Sequence, residues 1–194
     1  MSDFTKPISM EIKSATGKRG ENGRTTQPLN TFSSYSFDRN IMVPASAFRF
    51  TAEGVDKKER NAVRSSDTVY LYLTSNKGDK IPVATGFIDD TDTHITSKSL
   101  EYVLSGRDVI GNLVDNDSVD KDNNVVHIEQ ISLEGLLKQI IKNTRLKDIK
   151  VNNQNAPGGA LLANIMPGET KINTLQRYLE YTNCLIWAKP NGEL

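Results

Sequence analysis

The residues able to do chemistry are few, and they do not converge. There are two histidines, His94 and His127, in separate segments. Neither has a second histidine, a cysteine or a carboxylate at metal-ligand spacing. Asp115, Asp117, Asp120 and Asp122 alternate like the start of a calcium loop. An EF-hand opening at Asp115 needs glycine sixth and glutamate twelfth, and those places hold Asp120 and Val126. Asp89 and Asp90 would make an acid/base pair only if a bulge re-aimed one of them, because neighbours on a strand point to opposite faces. The lone cysteine, Cys184, excludes a disulfide framework. It sits in the apolar run Cys184-Leu185-Ile186-Trp187, where a thiolate is disfavoured and a buried strand residue is expected. No G-x-x-x-x-G-K-[ST] phosphate loop and no G-x-S-x-G elbow occurs. No catalytic, cofactor-binding or metal-binding residue is therefore assigned, and no cofactor is expected.

One charged pair stands out. Arg107 and Asp108 follow Gly106 at the end of an apolar run. There Asp108 can accept from backbone N–H groups at a helix start while Arg107 reaches a carboxylate. The pair reads as a local clip, or as a bridge from Arg107 to a neighbouring subunit.

The elements around this corner set its position. Ile81, Val83 and Phe87 alternate in a strand that is expected to end in a turn at Asp89-Asp90. Leu100, Tyr102 and Leu104 alternate in the next strand. Val109, Ile110, Leu113 and Val114 then change the period to that of a short helix. Gly106 stands at the junction, where a corner would need unusual backbone angles.

Upstream, Ile8, Met10 and Ile12 alternate in a first strand, and residues 32–38 and 47–51 read as two more. Val69-Tyr70-Leu71-Tyr72-Leu73 is apolar on both faces, so both are expected to be covered. Six strands thus precede any long helix, which predicts an antiparallel barrel or sandwich. Residues 14–28 are polar and glycine-rich, with Lys18, Arg19 and Arg24. They read as a mobile hairpin tip, or as a basic loop that orders against a partner. Residues 116–124 read as a linker. Ser132 offers an N-cap, and Leu133, Leu136, Leu137, Ile140 and Ile141 mark the clearest amphipathic helix. Short strands are expected at 149–151 and 184–188. Thr170 caps a last helix through Leu179. Asn191-Gly192 is a hairpin turn whose return strand is not in the sequence, so the chain reads as part of a longer protein. The fold class is α+β, with a β-barrel unit over 1–115 and a small α/β unit over 116–194.

Bulk composition narrows the partners. Lys plus Arg is 24 and Asp plus Glu is 24, a net charge of zero. That is unsuited to binding nucleic acid by phosphate neutralisation. No apolar run approaches the roughly 20 residues of a membrane span. The N-terminus lacks the basic and apolar regions of a signal peptide.

Two blocks carry a family resemblance. The first is Gly86-Phe87-Ile88-Asp89-Asp90, then Ser105-Gly106-Arg107-Asp108, then Gly111-Asn112-Leu113-Val114-Asp115. The second is Pro167-Gly168-Glu169-Thr170, a helix with Leu175 and Leu179, Cys184 to Trp187, and Asn191-Gly192-Glu193-Leu194. Their order and spacing resemble the baseplate hub proteins of Mu-like contractile-tailed phages, some of which are named late control proteins. The spike proteins of type VI secretion reuse this hub fold. The resemblance implies a homotrimer assembled in the host cytoplasm and carried in the virion tail. Two related β-rich domains per subunit would form a pseudo-sixfold ring. Its partners would be the tail tube protein, the central spike protein and other baseplate proteins. Arg107, Tyr70, Tyr72, Lys18, Arg19 and Arg24 are the expected interface residues. The alternative is a tail-associated, carbohydrate- or wall-active lytic module. It would need a sheltered carboxylate pair with aromatics for sugar stacking, and the single tryptophan, Trp187, is expected in the core.

Overall fold

A computed structural model describes residues 8–13, 26–29, 32–40, 43–53, 63–75, 77–97, 99–118, 126–152 and 158–194. Seven strands form one antiparallel sheet: β1 (Ile8–Lys13), β2 (Thr26–Leu29), β3 (Phe32–Asp38), β4 (Ala47–Glu53), β5 (Thr68–Thr74), β6 (Lys80–Ile95) and β7 (Leu100–Asp108). The order across the sheet is β2-β1-β5-β6-β7-β4-β3. A short helix α1 (Gly111–Val114) follows, then β8 (Val126–Ile131), α2 (Leu133–Ile141), β9 (Leu161–Ile165) and α3 (Lys171–Tyr181). The α+β class is as expected from the sequence. No described helix is long and apolar enough to cross a membrane.

Alternation explains the sheet. Met10, Ile12, Phe48, Phe50, Val69, Leu71, Ile88, Tyr102 and Leu104 face one buried cluster. Phe50 anchors it, with Phe32 at 4.9 Å and Phe48 at 5.9 Å between ring centroids. The sheet curls as a half-barrel. Among the described residues β2 and β3 are its two ends and do not pair with each other, so the barrel is open where a closed one was expected. β2 contains Pro28, which has no N–H to give a further strand.

Three other expectations are corrected. β6 does not turn at Asp89-Asp90. The ladder with β7 shifts there, pairing Ile88 with Gly106 but Asp90 with Ser105, and β6 then runs on to Ile95. The bulge absorbs Asp89. The turn comes at 96–99, where the Thr96 side chain accepts from Ser99 N–H at 2.9 Å. β5 is covered on one face only: Val69 and Leu71 are buried, while Tyr70 and Tyr72 are half-buried and Leu73 is exposed. Gly106 is no corner. It lies within β7 at an ordinary φ. Its lack of a Cβ matters because one there would overlap the Phe87 carbonyl and stand 2.5 Å from Phe48 Cζ.

The second cluster gathers around α2 and α3. Leu133, Leu136, Leu137, Ile140 and Ile141 are all buried, as their spacing predicts. Ser132 and Thr170 cap the two helices, accepting from Gly135 N–H at 3.1 Å and Asn173 N–H at 3.3 Å. Val109, Ile110 and Leu113 also pack here, so the chain changes core directly after Asp108. The antiparallel pairing of β8 with β9, across the intervening α2, was not expected. Its register breaks between Ile128 and Ile131, where Gln130 has a φ of 54°, and this hides the alternation. Residues 149–151 and 184–188 are not regular strands. The Asn-Gly turn does form, with Gly192 at φ 85° and Lys189 N–H bonded to Glu193 O at 2.7 Å. Its return is met by Leu194, which is buried and bonds Lys150 O and Asn152 N–H.

The β6–β7 contact gives a test of this packing. Gly106→Ala should lower unfolding stability by more than about 2 kcal/mol, since backbone and an aromatic ring must both give way. An unchanged urea midpoint would show that the strands can part at no cost.

Candidate functional site

The corner at the end of β7 builds the most organised polar site. Strand alternation sends Arg107 and Asp108 to opposite sides. Asp108 points inward and is buried. Its two carboxylate oxygens accept from Ser46 N–H and Ile110 N–H, each at 3.0 Å. Ser46 leads into β4, and Ile110 opens α1, so one carboxylate fastens both. Burial raises the Asp108 pKa above its ordinary value, and the bonds from Ser46 and Ile110 only partly offset it.

Arg107 points outward into a double clamp. Nε donates to Asp89 Oδ2 at 2.6 Å and Nη2 to Asp89 Oδ1 at 3.2 Å. Nη1 donates to Asp115 Oδ1 at 3.1 Å, and Nη2 also bonds Asp115 Oδ2. Both carboxylates are held in the forked geometry that suits a guanidinium. They raise its pKa further above an already high value. Asp89 lies two residues past Phe87, the cross-strand partner of Arg107, so strand alternation puts the two side chains on one face. Gly111 leaves room for the arginine stem, since a Cβ there would lie 2.7 Å from Arg107 Cβ. A polar cavity of about 440 Å³ opens beside the clamp, between Ser65, Ser66, Asn112 and Arg145. Arg145 donates to Ser66 O at 2.7 Å and lies over the Phe87 ring.

Sequence reasoning placed Asp108 on backbone N–H groups and Arg107 on a carboxylate, and the structure has both. It missed that Asp89 and Asp115 are the two partners, although all three residues lie in the same sequence block. The missing piece was the β6–β7 register, which sets Phe87 opposite Arg107 and brings Asp89 alongside it.

The other candidate residues lie apart. Tyr70 and Tyr72 stand on the outer face of β5, where Lys80 lies over the Tyr72 ring and pairs with Glu11 at 2.5 Å. Burial and Glu11 raise the Tyr72 pKa. Lys18, Arg19 and Arg24 lie outside the described residues. His127 Nδ1 is 2.6 Å from Asn164 Oδ1, and His94 is exposed on β6. Among the described residues no three His, Cys, Asp or Glu side chains are grouped to hold a metal.

A second, apolar depression of about 350 Å³ lies between α2, α3 and the 184–187 segment. Cys184 is half-buried rather than buried, and Trp187 is 47% exposed rather than in the core. The 184–188 segment is extended, so Ile186 and Ala188 turn in while Leu185 and Trp187 turn out.

No family model matches this sequence, and neither does any curated protein. Solved structures do match. The tail protein from Neisseria meningitidis MC58 superposes with a TM-score of 0.70 over 96% of this chain, at 20% identity. The 43 kDa tail protein of prophage MuSo2 from Shewanella oneidensis gives 0.72 over 96%, at 17% identity. The fold is that of phage tail proteins. A third such structure, prophage tail protein gp18 from Listeria monocytogenes EGD-e, gives 0.57 over 96% at 8% identity. The chain spans about half the length of each, 49%, 52% and 49%. At these identities the likeness is one of architecture. Within this tail-protein fold, the Arg107 clamp joins the sheet to the segment that begins the second core.

Two substitutions test the corner. Arg107→Ala leaves Asp89 and Asp115 facing each other and should cost about 1–2 kcal/mol at low salt, less as salt screens the pair. Removing Asp115 as well should recover part of the loss in a double-mutant cycle. Additive losses would dissolve the clamp. For Asp108, a raised folded-state pKa means that its stabilising contribution is complete below the ordinary value of 3.8 and is lost as the pH rises through the raised value. Asp108→Asn should therefore show its largest deficit in acid, and the gap to wild type should narrow toward neutral pH. A gap that widens with pH would reverse the sign.

Proposed function

We propose that this chain is a structural component of a phage tail or a related contractile particle, and within it the baseplate hub. The observation that carries the tail role is the fold, shared with solved tail proteins over 96% of the chain. The hub assignment rests on the two sequence blocks that resemble Mu-like hubs. The first of these blocks forms the β6–β7 hairpin, the Arg107 clamp and α1. Its function in this reading is geometric. Three copies make a ring that presents near-sixfold symmetry to the tail tube protein and threefold symmetry to the central spike protein.

Such a ring needs subunit contacts of well over about 1,000 Å² of buried area. Tyr70 and Tyr72 are half-buried aromatics of the kind that anchor contacts. Lys18, Arg19 and Arg24 would add a basic segment. Arg107 already holds two carboxylates of its own chain, so it would enter a contact as part of a group with net charge of minus one.

Light scattering on the full-length protein, followed by end-on imaging, tests the ring. The expected result is a threefold mass and a ring around a central hole. A monomer that stays a monomer when co-expressed with the tube and spike proteins would overturn the hub assignment.

A further inference from the structure

β6 is longer than the strand that covers it. β5 pairs with β6 from Lys80 to Phe87, and two further bonds close that side at Ile88: Ser66 N–H to Ile88 O at 2.6 Å, and Ile88 N–H to Asp67 O at 3.0 Å. Beyond Ile88, β6 is paired only to β7, from Asp90 opposite Ser105 to Ile95 opposite Leu100. Among the described residues no strand lies along the other side of residues 89–95. The open edge is about 20 Å long at a rise of roughly 3.3 Å per residue, enough for one added strand. Among the described residues it is an unpaired half-ladder on a strand that lies inside the sheet rather than at either end of it.

The side chains along this edge have a pattern. Asp90, Asp92 and His94 alternate with Thr91, Thr93 and Ile95, and Ile95 is 73% exposed. On the Asp90–Asp92 face, the neighbouring strands add Glu101 and Glu53, which lie abreast of His94, and one cation, Arg49, abreast of Asp90 across Ser105. Arg107, further along, is taken up by Asp89 and Asp115, so carboxylates outnumber the remaining cation. Among the described residues Asp90 accepts from the N–H of its neighbour Thr91, at 2.8 Å, and Asp90, Asp92, Glu53 and Glu101 form no ion pair. Aspartate is disfavoured in strands, so two in alternation need a compensating partner. A second copy of this edge is a poor one, because antiparallel self-pairing sets carboxylates against carboxylates. A cationic strand satisfies both the backbone and the charge.

We propose that residues 89–95 dock an extended basic segment of a partner protein. The segment adds a strand to β6 by main-chain hydrogen bonds and places lysine or arginine, at alternate positions, against Asp90 and Asp92. This docking does not depend on the hub assignment.

The probe is a dye-labelled seven-residue peptide alternating threonine and lysine, titrated into the full chain by fluorescence anisotropy. It should bind. The same peptide with proline at its centre should lose binding, because proline cannot donate to the ladder. The double variant Asp90→Asn, Asp92→Asn should weaken binding about tenfold at low salt, from two exposed charge pairs. Its unfolding midpoint should match wild type, since both side chains are exposed. No binding, or equal binding of the proline peptide, overturns the proposal; the latter means charge attraction without a strand. Self-association that displaces the peptide overturns it in favour of a second copy.

Discussion

The structure depends on two neighbouring side chains leaving one strand in opposite directions. Asp108 enters the protein and accepts from Ser46 and Ile110, fixing the start of β4 and the entry to α1. Arg107 leaves it and grips Asp89 and Asp115, fixing the bulge of β6 and the exit from α1. The chain changes hydrophobic cluster at this same point. Val109, Ile110 and Leu113, directly after it, are the first residues of the second cluster. The magnitudes separate the roles. Each of the five buried leucines and isoleucines of α2 contributes about 1.5–3 kcal/mol, whereas a half-exposed charge clamp is worth about 1–2 kcal/mol. The second cluster is therefore held mainly by its apolar core, and the corner adds the link between β7, β4 and α1.

This division also explains what could be read in the sequence. Apolar periodicity over a long element needs no neighbours to interpret, so α2, its Ser132 cap, α3 and its Thr170 cap were legible. The alternation of β1, β4, β5 and β7 was legible for the same reason. What failed were places where a neighbour overrules the local pattern. The polar run after Ile88 reads as a turn, but Tyr102 and Leu104 of β7 lie opposite and keep it extended. The β8 pattern is broken by Gln130, which adopts a left-handed conformation that few side chains favour. β5 looks buried on both faces because tyrosine counts as apolar, yet Tyr70 and Tyr72 face outward beside Glu11 and Lys80.

The corner was half legible. Gly-Arg-Asp indicated the right chemistry, a carboxylate on backbone donors and a guanidinium on an acid. The partners were not legible, because they follow from the β6–β7 register, which sets Phe87 opposite Arg107 and brings Asp89 alongside it. Glycine was misread in an instructive way. Gly106 was assigned a corner's backbone freedom, but its value is absence of bulk, which lets β4, β6 and β7 close over Phe48 and the Phe87 carbonyl. A sequence shows where a glycine is and not which of its two properties is used.

The surface carries a similar argument about use. Exposed apolar residues are spread over the whole surface, from Tyr35 and Ile81 on the sheet to Tyr181 and Trp187 near the second cluster, while the overhanging half of β6 carries two aspartates. Carboxylates along the overhanging edge disfavour its pairing with a copy of itself. In the ring proposed here, a basic strand suits this edge better than a neighbouring copy does, because a copy would set carboxylate against carboxylate along the ladder.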